Sequence, residues 1–125
     1  MILADTSIWI DHFRAQDTEM LRQLQARNIV MHPFIVAELA LGSMRDRSRT
    51  LESLDALPQI RVAQIGEVRE MIERRSLYAQ GVGLTDAHLL ASCFLDPSAQ
   101  LWTSDQRLGK AAVSLGITAK LKWKQ

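Results

Sequence analysis

MILADTSIWIDHF, residues 1–13, and LWTSD, residues 101–105, are built from the same ingredients: a short apolar run, small hydroxyl residues and an aspartate at the junction. Met1 to Ala4 suits a buried strand, and Asp5-Thr6-Ser7 are small polar residues that end a strand and cap a helix, expected through Ile8 to Phe13. At the second junction Leu101-Trp102-Thr103 reads as a strand. Asp105 then opens a helix whose apolar stripe is Leu108, Ala111, Ala112 and Leu115, closed by Gly116.

Between these junctions strands and helices alternate. Met20, Leu21 and Leu24 recur at helical spacing, and Ile29-Val30-Met31 is a strand-like run closed by His32-Pro33. A helix follows from Phe34 to Gly42 with Pro33 near its first turn, and another through Leu51, Leu54 and Leu57 ends before Pro58. A strand is expected at Ile60 to Ala63. Val68, Met71, Ile72 and Leu77 mark a helix ending near Gly81, and Leu84-Thr85-Asp86 opens one that runs through Phe94. Ile117 to Trp123 is the last candidate strand. Strands separated by helices predict an α/β fold of three α/β/α layers around a mostly parallel sheet of four to five strands. Such sheets carry functional groups at the carboxyl ends of their strands, where Asp5 and Asp105 fall.

A chain of 125 residues, 47% apolar, is the size of one compact domain, expected over 1–125. No Pro-, Gly- or Ser-rich stretch suggests a linker. The balance of 15 basic against 14 acidic side chains, net +1, is far from that of a protein that coats nucleic acid nonspecifically. The first residues lack the basic and long apolar regions of a secretory signal, and no segment stays apolar long enough to cross a bilayer, so a cytoplasmic protein is expected. The single cysteine, Cys93, has no second thiol for a disulfide or a zinc site and reads as a small buried residue.

Four carboxylates stand out. Asp5 and Asp105 follow strands, where each would also serve as a helix cap. Asp86 begins an apolar helix, a place that the helix dipole favours for an acid. Glu38 lies in Phe34-Ile35-Val36-Ala37-Glu38-Leu39-Ala40-Leu41, where apolar neighbours cover most of the helix and a carboxylate would need a partner. Two acids at parallel strand ends and two on helices at the same edge would converge on one pocket. Oxygen-only ligands select hard cations such as Mg2+ or Mn2+, which activate water and offset charge on a phosphodiester in its transition state.

Ile2-Leu3-Ala4-Asp5-Thr6-Ser7, Val36-Ala37-Glu38-Leu39 with Gly42, Leu84-Thr85-Asp86-Ala87 and Trp102-Thr103-Ser104-Asp105, in this order, resemble the PIN-domain ribonucleases, and within them the VapC-type toxins of toxin–antitoxin pairs. The resemblance spans essentially the whole chain. It implies a metal-dependent endoribonuclease in which Asp5, Glu38, Asp86 and Asp105 hold Mg2+ or Mn2+, Asp105 directly or through water. Thr6, Ser7 and Thr103 would orient carboxylates or water. It further implies an RNA substrate, a homodimer, and inhibition by a VapB-type antitoxin whose tail, often with a basic side chain, enters the active-site groove.

Arg107 and Lys110 follow Asp105 on the same expected helix, near enough for one to meet an RNA phosphate, Arg107 ranking first. Arg45, Arg47 and Arg49 read as a solvated face, with phosphate contact the alternative. His12, His32 and His88 lack ligand spacing for zinc, and helical geometry turns His88 away from Asp86. Trp9 is expected in the core or an interface. Lys120, Lys122 and Lys124 alternate with Leu121 and Trp123 as on a protected edge strand. Two other functions compete: a catalytically silent PIN-like module that binds RNA or a protein, and a phosphoryl-accepting aspartate at Asp5, which would want a second aspartate close by that Thr6-Ser7-Ile8-Trp9 does not supply.

Overall fold

The computed structural model describes residues 1–121. Its centre is strand β1 (Ile2–Ala4), buried at all three positions. It pairs in parallel with β2 (Ile29–Val30) on one side and β3 (Gln100–Trp102) on the other, giving the order β2-β1-β3. Leu3 stands opposite both Val30 and Leu101, and Ala4 opposite Trp102. Parallel register brings the carboxyl ends of β1 and β3 to one edge, where the Asp5 N–H donates to the Trp102 carbonyl at 3.0 Å.

Seven helices accompany the sheet among the described residues: α1 (Thr6–Arg14), α2 (Thr18–Gln25), α3 (Pro33–Leu41), α4 (Arg47–Asp55), α5 (Ile65–Arg74), α6 (Leu84–Leu95) and α7 (Gln106–Leu115). Their starts are specified locally. Asp5, Asp17 and Asp105 each accept an N–H from the first turn of α1, α2 and α7. Pro33 opens α3, where its missing N–H costs nothing. The Glu67 carboxylate accepts from the Gln64 N–H at 2.8 Å at the head of α5. Residues Ala87 to Cys93 of α6 are buried without a break, so α6 is an interior helix. It packs on α5, α7 and β3, while α1 packs on α3 and α3 on α4, the two helix groups that α/β/α layering requires. No described helix is long and apolar enough to cross a membrane.

The sheet is narrower than the four to five strands expected. The candidate strand at Ile60–Ala63 does not form; the residue before it, Gln59, makes a single parallel bridge to Met31. Ile60 and Ala63 are buried while Arg61 and Val62 face outward, which is not the two-residue period of a strand. The Ala63 N–H goes to Ser92 Oγ at 3.3 Å instead of to a neighbouring strand. At the other edge Thr118 bridges Leu101 in parallel. Ile117–Trp123 otherwise forms no strand within the described residues, and 122–123 lie outside them, as do Lys122 and Lys124. The sheet therefore runs Gln59, β2, β1, β3, Thr118, with one-residue margins. Helix α5 stops at Arg74, short of Gly81. Leu77 is buried in the turn beyond it, where Ser76, Ala79 and Gly81 all have left-handed backbones.

Candidate active site

Asp5 caps α1 at the carboxyl end of β1 and is 4% exposed. Its Oδ1 accepts from Ser7 Oγ at 2.5 Å and the Ile8 N–H at 3.2 Å, and its Oδ2 accepts from Thr103 Oγ1. Burial pushes this carboxyl up from its ordinary value, and the hydrogen bonds from Ser7, Thr103 and Ile8 oppose that shift. Thr103 Oγ1 also accepts the Asp105 N–H at 3.0 Å. Ser104 donates to Ser7 Oγ from its N–H at 3.2 Å and from its Oγ at 3.0 Å. Four hydroxyl and carboxyl side chains thus tie the β1–α1 junction to the β3–α7 junction. Ser104 was not singled out from the sequence; its contact spans 97 residues, and its only signal was the small-hydroxyl composition of both junctions.

Asp105 caps α7, its Oδ1 accepting the Leu108 N–H at 2.9 Å, and its charge acts on Asp86. Glu38 is exposed, and it has the partner that its apolar neighbours imply. Helix α3 is apolar on all sides, and its outer face, with Ala37 and Leu41, is left in solvent. Thr6 Oγ1 donates to Glu38 Oε1 at 2.6 Å, which fixes this carboxylate from α1.

Asp86 is partly buried in the first turn of α6 and caps nothing; Gly83 is the cap residue, and no hydrogen bond to the Asp86 carboxylate is found among the described residues. Its carboxyl is pushed up to about 6, first by burial and then by the charges of Asp5, Asp105 and Glu38. The four acids singled out from the sequence therefore share one electrostatic neighbourhood. Their donors are oxygen only, the set that suits a hard divalent cation, and their uncompensated repulsion is what such a cation relieves. Among the described residues no three His, Cys, Asp or Glu side chains come together as a ligand set.

The surrounding cations divide. Arg107, exposed on α7, lies along the turn before α6: a Cβ at Gly81 would stand 2.9 Å from its Cδ and Nη1. Lys110 lines a cavity of about 540 Å3 with Trp102, Thr103, Val113 and Ala119. Arg47 donates to the Ala40 and Gly42 carbonyls at 2.6 and 3.2 Å, closing the carboxyl end of α3, so it is structural. Arg45 and Arg14 flank a groove of about 500 Å3 that reaches Glu38 over Ile10, Phe13 and Met44. Arg14, on α1, was not singled out from the sequence, since nothing in α1 indicates which of its faces meets this groove.

The remaining residues fit structural roles. His88 is buried against Phe34, ring centroids 4.6 Å apart, and His32 is buried with its Nδ1 accepting the Phe34 N–H at 3.0 Å. Trp9 is in the core, and burial holds the Cys93 thiol up at about 12, unreactive.

The family model for the PIN domain matches residues 2–114. Two relatives from Mycobacterium tuberculosis, each described as Ribonuclease VapC32, in strains CDC 1551 / Oshkosh and ATCC 25618 / H37Rv, are 42% identical to this chain over 117 residues, covering 94% of it and 94% of each relative.

Proposed function

Because the chain belongs to the PIN-domain family, among the VapC-type ribonucleases, we propose that it is the toxin of a toxin–antitoxin pair, an endoribonuclease that hydrolyses RNA at a centre formed by Asp5, Glu38, Asp86 and Asp105 with Mg2+ or Mn2+. The observation that carries the reading is the Asp86 carboxyl, pushed up to about 6 by burial and by the three other carboxylates. A repulsive cluster of this kind costs stability and is retained where a cation is to be held.

The four acids would hold the ion, which when bound supplies Lewis acidity toward water and toward the charge developing on phosphorus. The chain's own groups set the stage. Ser7 and Thr103 fix Asp5, Thr103 also sets the turn that carries Asp105, and Thr6 aims Glu38. Asp86, unencumbered by hydrogen bonds, is the carboxylate most able to adjust its position. Arg107 and Lys110 would meet phosphates of the bound strand. Attack of water on phosphorus forms the P–O bond as the 3′-oxygen leaves with a proton, which gives a 5′-phosphate and a 3′-hydroxyl.

The proposal extends to partners and place. A VapB-type antitoxin would lay its tail in the groove that runs over Ile10, Phe13 and Met44 to Glu38, a surface whose apolar floor and carboxylate end suit an apolar segment with a basic residue. A homodimer would cover apolar surface such as Leu41, 89% exposed. The protein would act in the cytoplasm, where RNA is available.

The test is cleavage of mixed total RNA by purified, antitoxin-free protein with Mg2+ or Mn2+, beside Asp5→Asn and an EDTA control. Cleavage by the parent alone, lost in EDTA, supports the reading. Folded protein that cleaves no RNA class would replace it with a catalytically silent binding module.

A further inference from the structure

Arg107 stands two residues beyond Asp105 on the first turn of α7, yet among the described residues it makes no ion pair. A free guanidinium within reach of uncompensated acids would be drawn onto them. Its side chain is instead laid against the backbone of the turn that leads into α6. A Cβ at Gly81 would lie 2.9 Å from Arg107 Cδ, 2.9 Å from Nη1 and 3.2 Å from Nε, so only the absence of a side chain at residue 81 leaves room for the guanidinium. Gly81 has φ +77°, in the left-handed region, and belongs to a turn in which Ser76 and Ala79 are left-handed as well. The turn therefore presents a notch of bare backbone, and Arg107 lies in it.

We propose that the Gly81 notch positions Arg107 for a phosphate of the RNA strand, holding the guanidinium beside the acid cluster and off it. Arg107 is then the binding residue and Gly81 a positioning residue that acts through it. This inference rests on the nuclease reading above and goes beyond it by assigning a role to the turn before α6. Two functions are served at once: the carboxylates remain available to a cation, and the guanidinium keeps its five donors for a phosphate. Without the notch Arg107 would be displaced from this seat.

The contact is with the far end of a flexible side chain, so a methyl group at residue 81 would evict Arg107 at little steric cost to the fold. The left-handed backbone strains any L-residue there. Gly116 provides a matched control. It has φ +72° and nothing within 4 Å of an added Cβ, so Gly116→Ala imposes the same backbone strain without touching Arg107.

The experiment is binding of a dye-labelled single-stranded RNA, followed by fluorescence anisotropy with Ca2+, a hard cation for oxygen ligands, across a range of KCl concentrations. The parent, Arg107→Gln, Gly81→Ala, the double variant and Gly116→Ala are compared. Arg107→Gln is expected to weaken binding roughly five- to tenfold at low salt and to reduce the slope of log Kd against log salt by about 0.7, the loss of one phosphate contact. Gly81→Ala should reproduce both changes and add nothing in the Arg107→Gln background, while Gly116→Ala leaves the slope at the parent value. Gly81→Asn, which tolerates a left-handed backbone while still filling the notch, takes the place of Gly81→Ala should the latter fail to fold. An unchanged slope in Arg107→Gln, or additive effects of Gly81→Ala and Arg107→Gln, would overturn the inference while leaving the nuclease reading intact. Absence of RNA binding by the folded parent at every salt concentration would overturn both.

Discussion

Replacing Asp86 by Asn should stabilise the metal-free protein at neutral pH, although it removes a residue of the proposed active centre. The Asp86 carboxyl is raised from 3.8 to about 6, first by burial and then by the charges of Asp5, Asp105 and Glu38. A rise of that size corresponds to about 3 kcal/mol between the two protonation states, and solvent screening of a partly exposed group reduces the usable part to about 1–2 kcal/mol. For a carboxyl whose folded value lies above its unfolded one, the favourable contribution is complete below about 3.8 and is lost as pH rises through about 6. The advantage of Asp86→Asn should therefore be absent near pH 4, grow between pH 4 and 6, and level off above. Thermal unfolding in EDTA, followed by circular dichroism from pH 4 to 8, reads it as a Tm increase of roughly 3–8 °C at pH 7.5. In Mn2+ the order should reverse, because the parent gains more from a bound cation than the variant does. A Tm difference that does not change with pH, or a variant less stable than the parent in EDTA at pH 7.5, would refute the electrostatic convergence of the four acids.

Asp105 caps α7 as well as facing Asp86, and two substitutions separate the roles: Asp105→Ala should lose about 1 kcal/mol in urea denaturation, whereas Asp105→Asn should keep that stability and lose Mn2+ affinity in calorimetry. Thr103→Val removes the donor to Asp5 and the acceptor of the Asp105 N–H together; kcat for RNA cleavage should fall roughly 10–100-fold with KM nearly unchanged. His32 is fully buried, and its imidazole is lowered from 6.5 to about 4 by burial and by His88. Its depressed value favours the folded protein above pH 6.5, and that contribution, at most about 3 kcal/mol, is lost as pH falls toward 4; urea midpoints at pH 7.5 and 4.5 should show this drop, and show it reduced in His32→Asn.

The placement of the acids was legible where sequence neighbours and parallel pairing suffice. An aspartate directly after an apolar strand, found twice, places both carboxylates at one sheet edge as soon as β1 and β3 pair in parallel, which Leu3 opposite Leu101 achieves. Glu38 was legible in its need for a partner, but which partner was not: helix α3 is apolar on every side, so no periodicity distinguishes the face that meets the core from the face that carries Leu41 into solvent. Residues 60–63 have strand composition, but Arg61 turns outward to Glu67 at 2.7 Å and Ala63 bonds to α6, contacts that local propensity does not encode. The seat of Arg107 against Gly81 joins residues 26 apart through a missing side chain, which only the assembled backbone reveals.

The most direct measurement titrates Mn2+ into the protein while recording calorimetric binding in one experiment and cleavage of a defined single-stranded RNA in another, with Asp86→Asn beside the parent. Four carboxylates forming one cation-dependent hydrolytic centre predict that binding and cleavage reach half-saturation at the same Mn2+ concentration and that Asp86→Asn weakens both. Cleavage that persists undiminished in EDTA, or Mn2+ binding that the variant leaves unchanged, would contradict it.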